Sequence, residues 1–199
     1  AHARALQLLE RYGVLTREAA LGEGAEGGFA GVYPVLKALE ERGQVRRGYF
    51  VAGLGAAQFA VPGAVDRLRS EREGPGEDDR PFALAATDPA QPFGAALPWP
   101  PTEGRPARAA GAHVVLGGGE LLAYLDRTGH RVLRFGAADD HRWVEALAGL
   151  VSGRRLRSIE VRTIDGVSVH EADADLREAL EVAGFRAGYK GWTMRGADR

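Results

Sequence analysis

The sequence predicts an α+β protein: a winged helix-turn-helix domain followed by a small strand-rich, β-barrel-like module with two helices. Three observations carry this prediction. Apolar residues recur with a helical period in most of the first third, and in strand-length runs over much of the last half. The first third ends with two strand-like runs joined by a Gly/Ala loop. Eight of the ten prolines fall between Pro75 and Pro106 and separate the two patterns. The expected domains are therefore a winged helix over 1–73, a Pro-rich connector with one strand over 74–108, and an α+β module over 109–199.

In the first helix, Ala5, Leu8, Leu9 and Tyr12 share one face, and Gly13 ends it. "VLT" reads as a short strand, and Thr16 as the N-cap of a short helix over 17–21. After the flexible "GEGAEGG", a third helix is expected near 30–42, burying Val32, Val35, Leu36 and Leu39. Pro34 is tolerable only in a first turn, so this helix should begin only a residue or two earlier. Gly43 is a natural left-handed stop. "QVRRGYFV" and "QFAVP" then read as the two wing strands around "AGLGAA". The charged run "DRLRSEREGPGEDDR" changes from helical to breaker-rich at Gly74, which sets the boundary.

"PWPPTEGRP" is too rich in proline for a helix or a central strand and should run extended, with Trp99 as an anchor. "FALAAT" reads as a strand. "AHVVLGGGELLAYLDRTGHRVLRF" reads as three strands with turns at Gly117–Gly119 and Thr128–Gly129. A helix follows with Trp143, Leu147, Leu150 and Val151 inward. "LRSIEVRTIDG" reads as one strand ending in an Asp-Gly turn. The next helix should bury Leu176, Leu180 and Val182, and "GWTMRG" supplies a last strand. Many short strands with two helices suit a strongly bent sheet or an open barrel.

Composition narrows the function. The chain has 199 residues, 45% hydrophobic and 27% charged, with a net charge of −1. No apolar run approaches the ~18 residues of a membrane span, and no secretory leader opens the sequence, so a cytoplasmic setting is expected. The absence of cysteine excludes disulfides, iron–sulfur clusters and thiol catalysis. Lys37 and Lys190 are the only lysines, and every other basic residue is arginine. Arginine makes bidentate phosphate contacts, and the same bias follows from a GC-rich genome. A chain that begins at Ala1 and runs at once into a helix reads as part of a longer protein.

Several motifs resolve into local structure. Gly53–Gln58 imitates the start of a dinucleotide fingerprint but lacks its last glycine, so a wing tip fits better. Gly117–Gly119 lacks the Gly-Lys-Ser/Thr of a phosphate loop, and no ATPase motor is present. Neither a metal site nor a cofactor is expected: the five histidines are scattered, and His170-Glu171 lacks its second histidine. Glu171, Asp173 and Asp175 complement a helix N-terminus. Asp88, before Pro89, and Asp165, before Gly166, lie beside strand ends, where a general base could sit. Turn chemistry is the simpler reading of both.

The candidate nucleic-acid-binding residues are Lys37, Arg42, Arg46, Arg47 and Tyr49. The turn from third helix to wing brings the cations close, and such folds place that helix in a major groove. Tyr49 or Trp99 could stack on an unpaired base.

The stretch from "GGFAGVYPVLKALEERGQVRRGYFVAGLGAAQFAVPGAVDRLR" to "ATDPAQPFGAALPWP" resembles the C-terminal region of bacterial large helicase-related (Lhr) proteins. "GAHVVL", "LRFG", "IDG" and "AGF" extend the resemblance over nearly the whole chain. It implies a superfamily 2 DNA helicase that translocates on single-stranded DNA with ATP and is linked to DNA repair. Its motor lies far upstream, and its C-terminal region holds winged helices and a barrel-like module. That region also resembles winged-helix DNA glycosylases. Gln58 in "QFA" resembles only the first position of their glutamine-based motif, so no catalytic residue carries over. The expected function is an accessory DNA-binding region without its own ATPase activity. The expected partners are single-stranded or hybrid DNA and the upstream helicase domains of the same polypeptide, with no membrane. A DNA glycosylase module and a structural homo-oligomerisation module are the alternatives.

Overall fold

Helix α1 (His2–Tyr12) turns Ala5, Leu8 and Leu9 inward, and Gly13 closes it with a left-handed φ of 66°. The computed structural model describes residues 1–55, 57–72 and 80–196. Strand β1 (Val14–Leu15) leads into Thr16, whose side chain accepts the Ala19 N–H at 3.1 Å and caps α2 (Arg17–Gly22). Helix α3 (Gly28–Glu41) buries Val32, Leu36 and Leu39. Strands β2 (Arg46–Gly48) and β3 (Gln58–Ala60) follow, and β3 lies between β1 and β2 in a three-stranded antiparallel sheet. Phe29 and Tyr33 of α3 meet Phe59 of β3 with ring centroids 5.9–6.4 Å apart.

Two expectations need correction here. Helix α3 starts at Gly28, so Pro34 is well inside it rather than in its first turn. The carbonyl that Pro34 leaves without a helical partner belongs to Ala30, which is exposed, so water can satisfy it. The wing strands are also shorter than "QVRRGYFV" and "QFAVP", because pairing stops at Gly48 and starts again at Gln58. A further helix, α4 (Pro62–Arg72), follows the wing, with proline at its first position. Ala56 and the boundary placed at Gly74 lie outside the described residues.

The chain divides into two units: Ala1–Gly76 with Pro92–Pro98, and Glu77–Gln91 with Trp99–Arg199. The Pro-rich stretch is thus shared between them. In the second unit, β4 (Phe82–Ala85), β5 (His113–Gly117), β6 (Glu120–Leu125) and β7 (Arg131–Arg134) form an antiparallel run. A register shift at Val115/Leu116 bends the β5–β6 pair. Helix α5 (Arg142–Ser152) buries Trp143, Leu147, Leu150 and Val151. Strand β8 (Ser158–Val161) is followed, after Arg162, by β9 (Thr163–Ile164) and β10 (Val167–Ser168). A short 3-10 turn, Val169–Glu171, precedes α6 (Ala174–Val182). A hairpin of β11 (Arg186–Ala187) and β12 (Trp192–Arg195) ends the unit.

These strands make two open sheets, β10-β9-β7-β6-β5-β4 and β11-β12-β8. Strands β10 and β4 lie at opposite edges of the larger sheet and do not pair, so the barrel-like expectation is not met. The single strand expected over "LRSIEVRTIDG" is two strands. β8 pairs with β12, and β9 pairs in parallel with β7. Val182, expected inward, is 82% exposed, while Leu176, Leu180 and Phe185 fill the core with α5. Six residues beyond Leu176 a helix has turned well away from its buried face.

Candidate nucleic-acid interface

The end of α3 builds the proposed binding edge. Gly43 adopts φ 69°, and its N–H and that of Gln44 bond back to Glu40 and Leu39 at 2.9 Å. The chain reverses there, Val45 enters the core, and β2 starts at once. Side chains on a strand alternate between faces. Arg47 turns toward α3, where its Nε lies 3.1 Å from Glu40. Arg46 therefore points to the opposite side of the sheet. Lys37 lies 3.9 Å from Glu41, one turn further along its own helix. Arg42 and Arg46 are exposed and make no ion pair or side-chain hydrogen bond among the described residues. The five candidates thus lie within one stretch from helix to wing, but they do not present one uniform cationic face. Tyr49 is 87% exposed beyond the end of β2, while Phe50 folds back against Gly48.

Gln58 supports this wing from below. It is fully buried, and among the described residues its amide bonds only to backbone atoms of Phe50, Val51 and Leu54. Its hydrogen bonds tie the loop of the wing to β3.

The two carboxylate candidates sit in separate turns with different partners. Asp88 Oδ1 accepts the Ala90 N–H at 2.8 Å, closing the turn before Gln91. Asp165 has φ 51° and receives Arg134 twice, from the backbone N–H at 2.8 Å and from Nε at 2.7 Å. Trp99 is half-buried with its ring 5.7 Å from Tyr124, edge to face, so it anchors the Pro-rich segment rather than standing free to stack.

Sequence reading missed a second feature. A cleft of about 900 Å³ in the second unit is lined by Arg105, Arg127, Arg131 and Arg134, with Tyr124 in its wall. These arginines come from the Pro-rich segment, the β6–β7 turn and β7, so no local motif announces them. Asp126 organises the turn. It is buried, and it accepts Thr128 Oγ1, the N–H groups of His130 and Arg131, and Arg131 Nε. Burial pushes its carboxyl up, but these hydrogen bonds together outweigh burial and hold it below the usual carboxylate range.

Residues 1–80 match the family model of the large helicase-related protein winged-helix domain. Over 188 residues the chain is 48% identical to a Mycolicibacterium smegmatis protein named Lhr helicase/probable uracil glycosylase, covering 90% of this chain and 12% of that one. Over 135 residues it is 42% identical to the Escherichia coli K12 Lhr helicase/uracil glycosylase, covering 66% of this chain and 9% of that one. The chain resembles the C-terminal region of Lhr. It spans about a tenth of the length of these Lhr relatives. The part that matches the Lhr winged-helix model holds α3 and the wing. Among the described residues of this Lhr-like chain, no helix is long and apolar enough to cross a membrane.

Proposed function

We propose that this chain is a nucleic-acid-binding accessory region of an Lhr-type repair helicase, without a motor or cofactor of its own. The ATP-driven motor would lie upstream in the same cytoplasmic polypeptide. One observation supports the reading most: Arg42 and Arg46, exposed and without a carboxylate partner among the described residues, flank the α3–wing turn beside an 87% exposed Tyr49. Guanidinium groups bind phosphate bidentately, and an exposed aromatic offers a stacking surface for a base. Phosphate contacts make binding tolerant of sequence and sensitive to salt. The test is titration of the chain and of an Arg42→Ala, Arg46→Ala variant with duplex DNA over a range of salt. The variant should bind less tightly to every sequence, with a log–log salt slope smaller by roughly 1.8. Equal affinity and slope would reject this edge.

The names of the two relatives favour a second reading, removal of uracil from DNA. Asp88 closes a turn and Asp165 is held by Arg134, so neither is a ready general base. Incubation with a uracil-containing single strand, assayed for abasic sites, tests this reading directly.

A further inference from the structure

We propose that the arginine-lined cleft of the second unit is a separate docking site for the backbone of single-stranded DNA. The proposal rests on the reading that the chain binds DNA, but it uses none of the winged-helix residues.

The cleft has three walls. The Pro-rich segment passes so closely over Leu133 that a Cβ on Gly104 would lie 2.4 Å from it. The Tyr124 hydroxyl fixes that segment by donating to the Ala107 carbonyl at 3.2 Å. This wall carries Arg105. The second wall is the turn at Asp126–Gly129, closed by the Gly129 N–H on the Asp126 carbonyl at 2.9 Å, and it carries Arg127. The third is the β9–β10 turn, where Asp165 ties to Arg134 on β7.

The charged groups of the cleft divide into paired and unpaired ones among the described residues. Asp126 and Asp165 are taken up by Arg131 and Arg134, together with backbone N–H groups. Arg105 and Arg127 have no partner among the described residues, and both are exposed. Each keeps its full set of N–H donors. Glu103 is the remaining carboxylate in the lining, which leaves the cleft one net positive charge. Two free guanidinium groups on facing segments suit successive phosphates of a strand. Thr163 adds a hydroxyl, and Leu133 adds an apolar surface for a sugar or base. The volume lies in the range of about 300–1,000 Å³ that encloses a small ligand, which admits a short stretch of one strand rather than a double helix.

The test uses the whole 199-residue chain with oligothymidylate, duplex DNA and inorganic phosphate. The key variant is Arg105→Ala with Arg127→Ala. Both side chains are exposed, so the thermal unfolding midpoint should match the parent. Affinity for oligothymidylate should fall about fivefold or more, with a salt slope smaller by roughly 1.4. Duplex affinity should be unchanged. A control pair, Arg157→Ala with Arg195→Ala, removes the same charge outside the cleft and should have little effect. Unchanged oligothymidylate binding, an equal loss in the control, or no binding by the parent would each overturn the proposal. So would saturable binding of inorganic phosphate that needs Arg105 and Arg127 while oligothymidylate does not bind. If Arg42→Ala, Arg46→Ala loses duplex binding while the cleft variant keeps its strand binding, the cleft fails and the wing reading stands. The reverse pattern would spare the cleft and remove the wing.

Discussion

Gln58 and Val51 bond to each other in both directions. The Gln58 amide oxygen accepts the Val51 N–H at 2.8 Å, and its amide nitrogen donates to the Val51 carbonyl at 3.0 Å. A buried side chain thus stands in for the β-ladder across the part of the wing where β2 and β3 no longer pair.

Replacing Gln58 with Leu should therefore loosen the wing. The backbone groups of Phe50, Val51 and Leu54 would lose their partners around a buried position. A loss of about 2–3 kcal/mol is expected, since an unsatisfied buried polar group costs about 1–3 kcal/mol and the exposed ones regain water. Urea unfolding of the variant tests this. A midpoint equal to the parent's would show that the wing holds without the amide.

Arg46→Ala and Arg47→Ala should differ in kind. Arg46 has no partner among the described residues, whereas Arg47 is engaged with Glu40 at 3.1 Å. Removing Arg46 should weaken DNA binding with no measurable change in stability. Removing Arg47 should affect binding less and stability by no more than about 1 kcal/mol, as expected for a half-exposed ion pair. Side-by-side titrations and melts check the contrast, and identical losses of affinity would contradict it.

Acid should weaken the second unit through Asp126. Burial raises its carboxyl, but the hydrogen bonds from Thr128, Arg131 and His130 together lower it by more, so the folded group lies below its ordinary value of 3.8. A depressed folded value contributes stability that is present above the unfolded value and is lost as pH falls through the folded one. Asp126→Asn removes that contribution. The variant should be less stable than the parent at neutral pH, and the gap should narrow below pH of about 4. Urea titrations across this range decide the matter. A gap that is constant with pH would mean that the charge of Asp126 contributes nothing.

One substitution should have opposite signs at two glycines. Gly149 lies in α5, exposed, with open space where a Cβ would stand. Gly149→Ala should stabilise by about 0.5–1 kcal/mol, because glycine leaves a helix more entropy to lose. At Gly191 a Cβ would lie 2.2 Å from the Val161 carbonyl oxygen. Gly191→Ala should destabilise by about 1–3 kcal/mol. Thermal melts of the two variants test both directions.

Much of the fold was legible because its signals are local. Thr16 marks its own helix start, Gly43 marks a helix end, and Gly118, Gly119 and Gly129 mark turns with positive φ. The two-sheet arrangement after residue 157 was hidden for a non-local reason. Arg162 donates its N–H to the His130 carbonyl at 2.8 Å, and there the chain leaves β12 for β7. Nothing within "LRSIEVRTIDG" encodes that distant partner. Val182 was misplaced because its spacing from Leu180 is off the helical face, and the core position belongs to Phe185 beyond the helix end. At the candidate interface, the positions of Lys37, Arg42, Arg46, Arg47 and Tyr49 followed from the helix-to-wing turn. Their division into paired and free cations depended on Glu40 and Glu41, whose reach only the folded chain reveals.

The chain passes from one unit to the other three times, because Pro92–Pro98 belongs with the first while Glu77–Gln91 belongs with the second. No single cut can therefore separate them cleanly. A fragment starting at Trp99 would lack β4, and β5 would lose its neighbour along Val114, Val115 and Leu116. That bare apolar edge would recruit strands from other molecules and drive aggregation. A protease nick between Gln91 and Pro92 would instead leave both pieces of the second unit paired. Subcloning the second unit from Trp99 onward would thus produce an insoluble fragment.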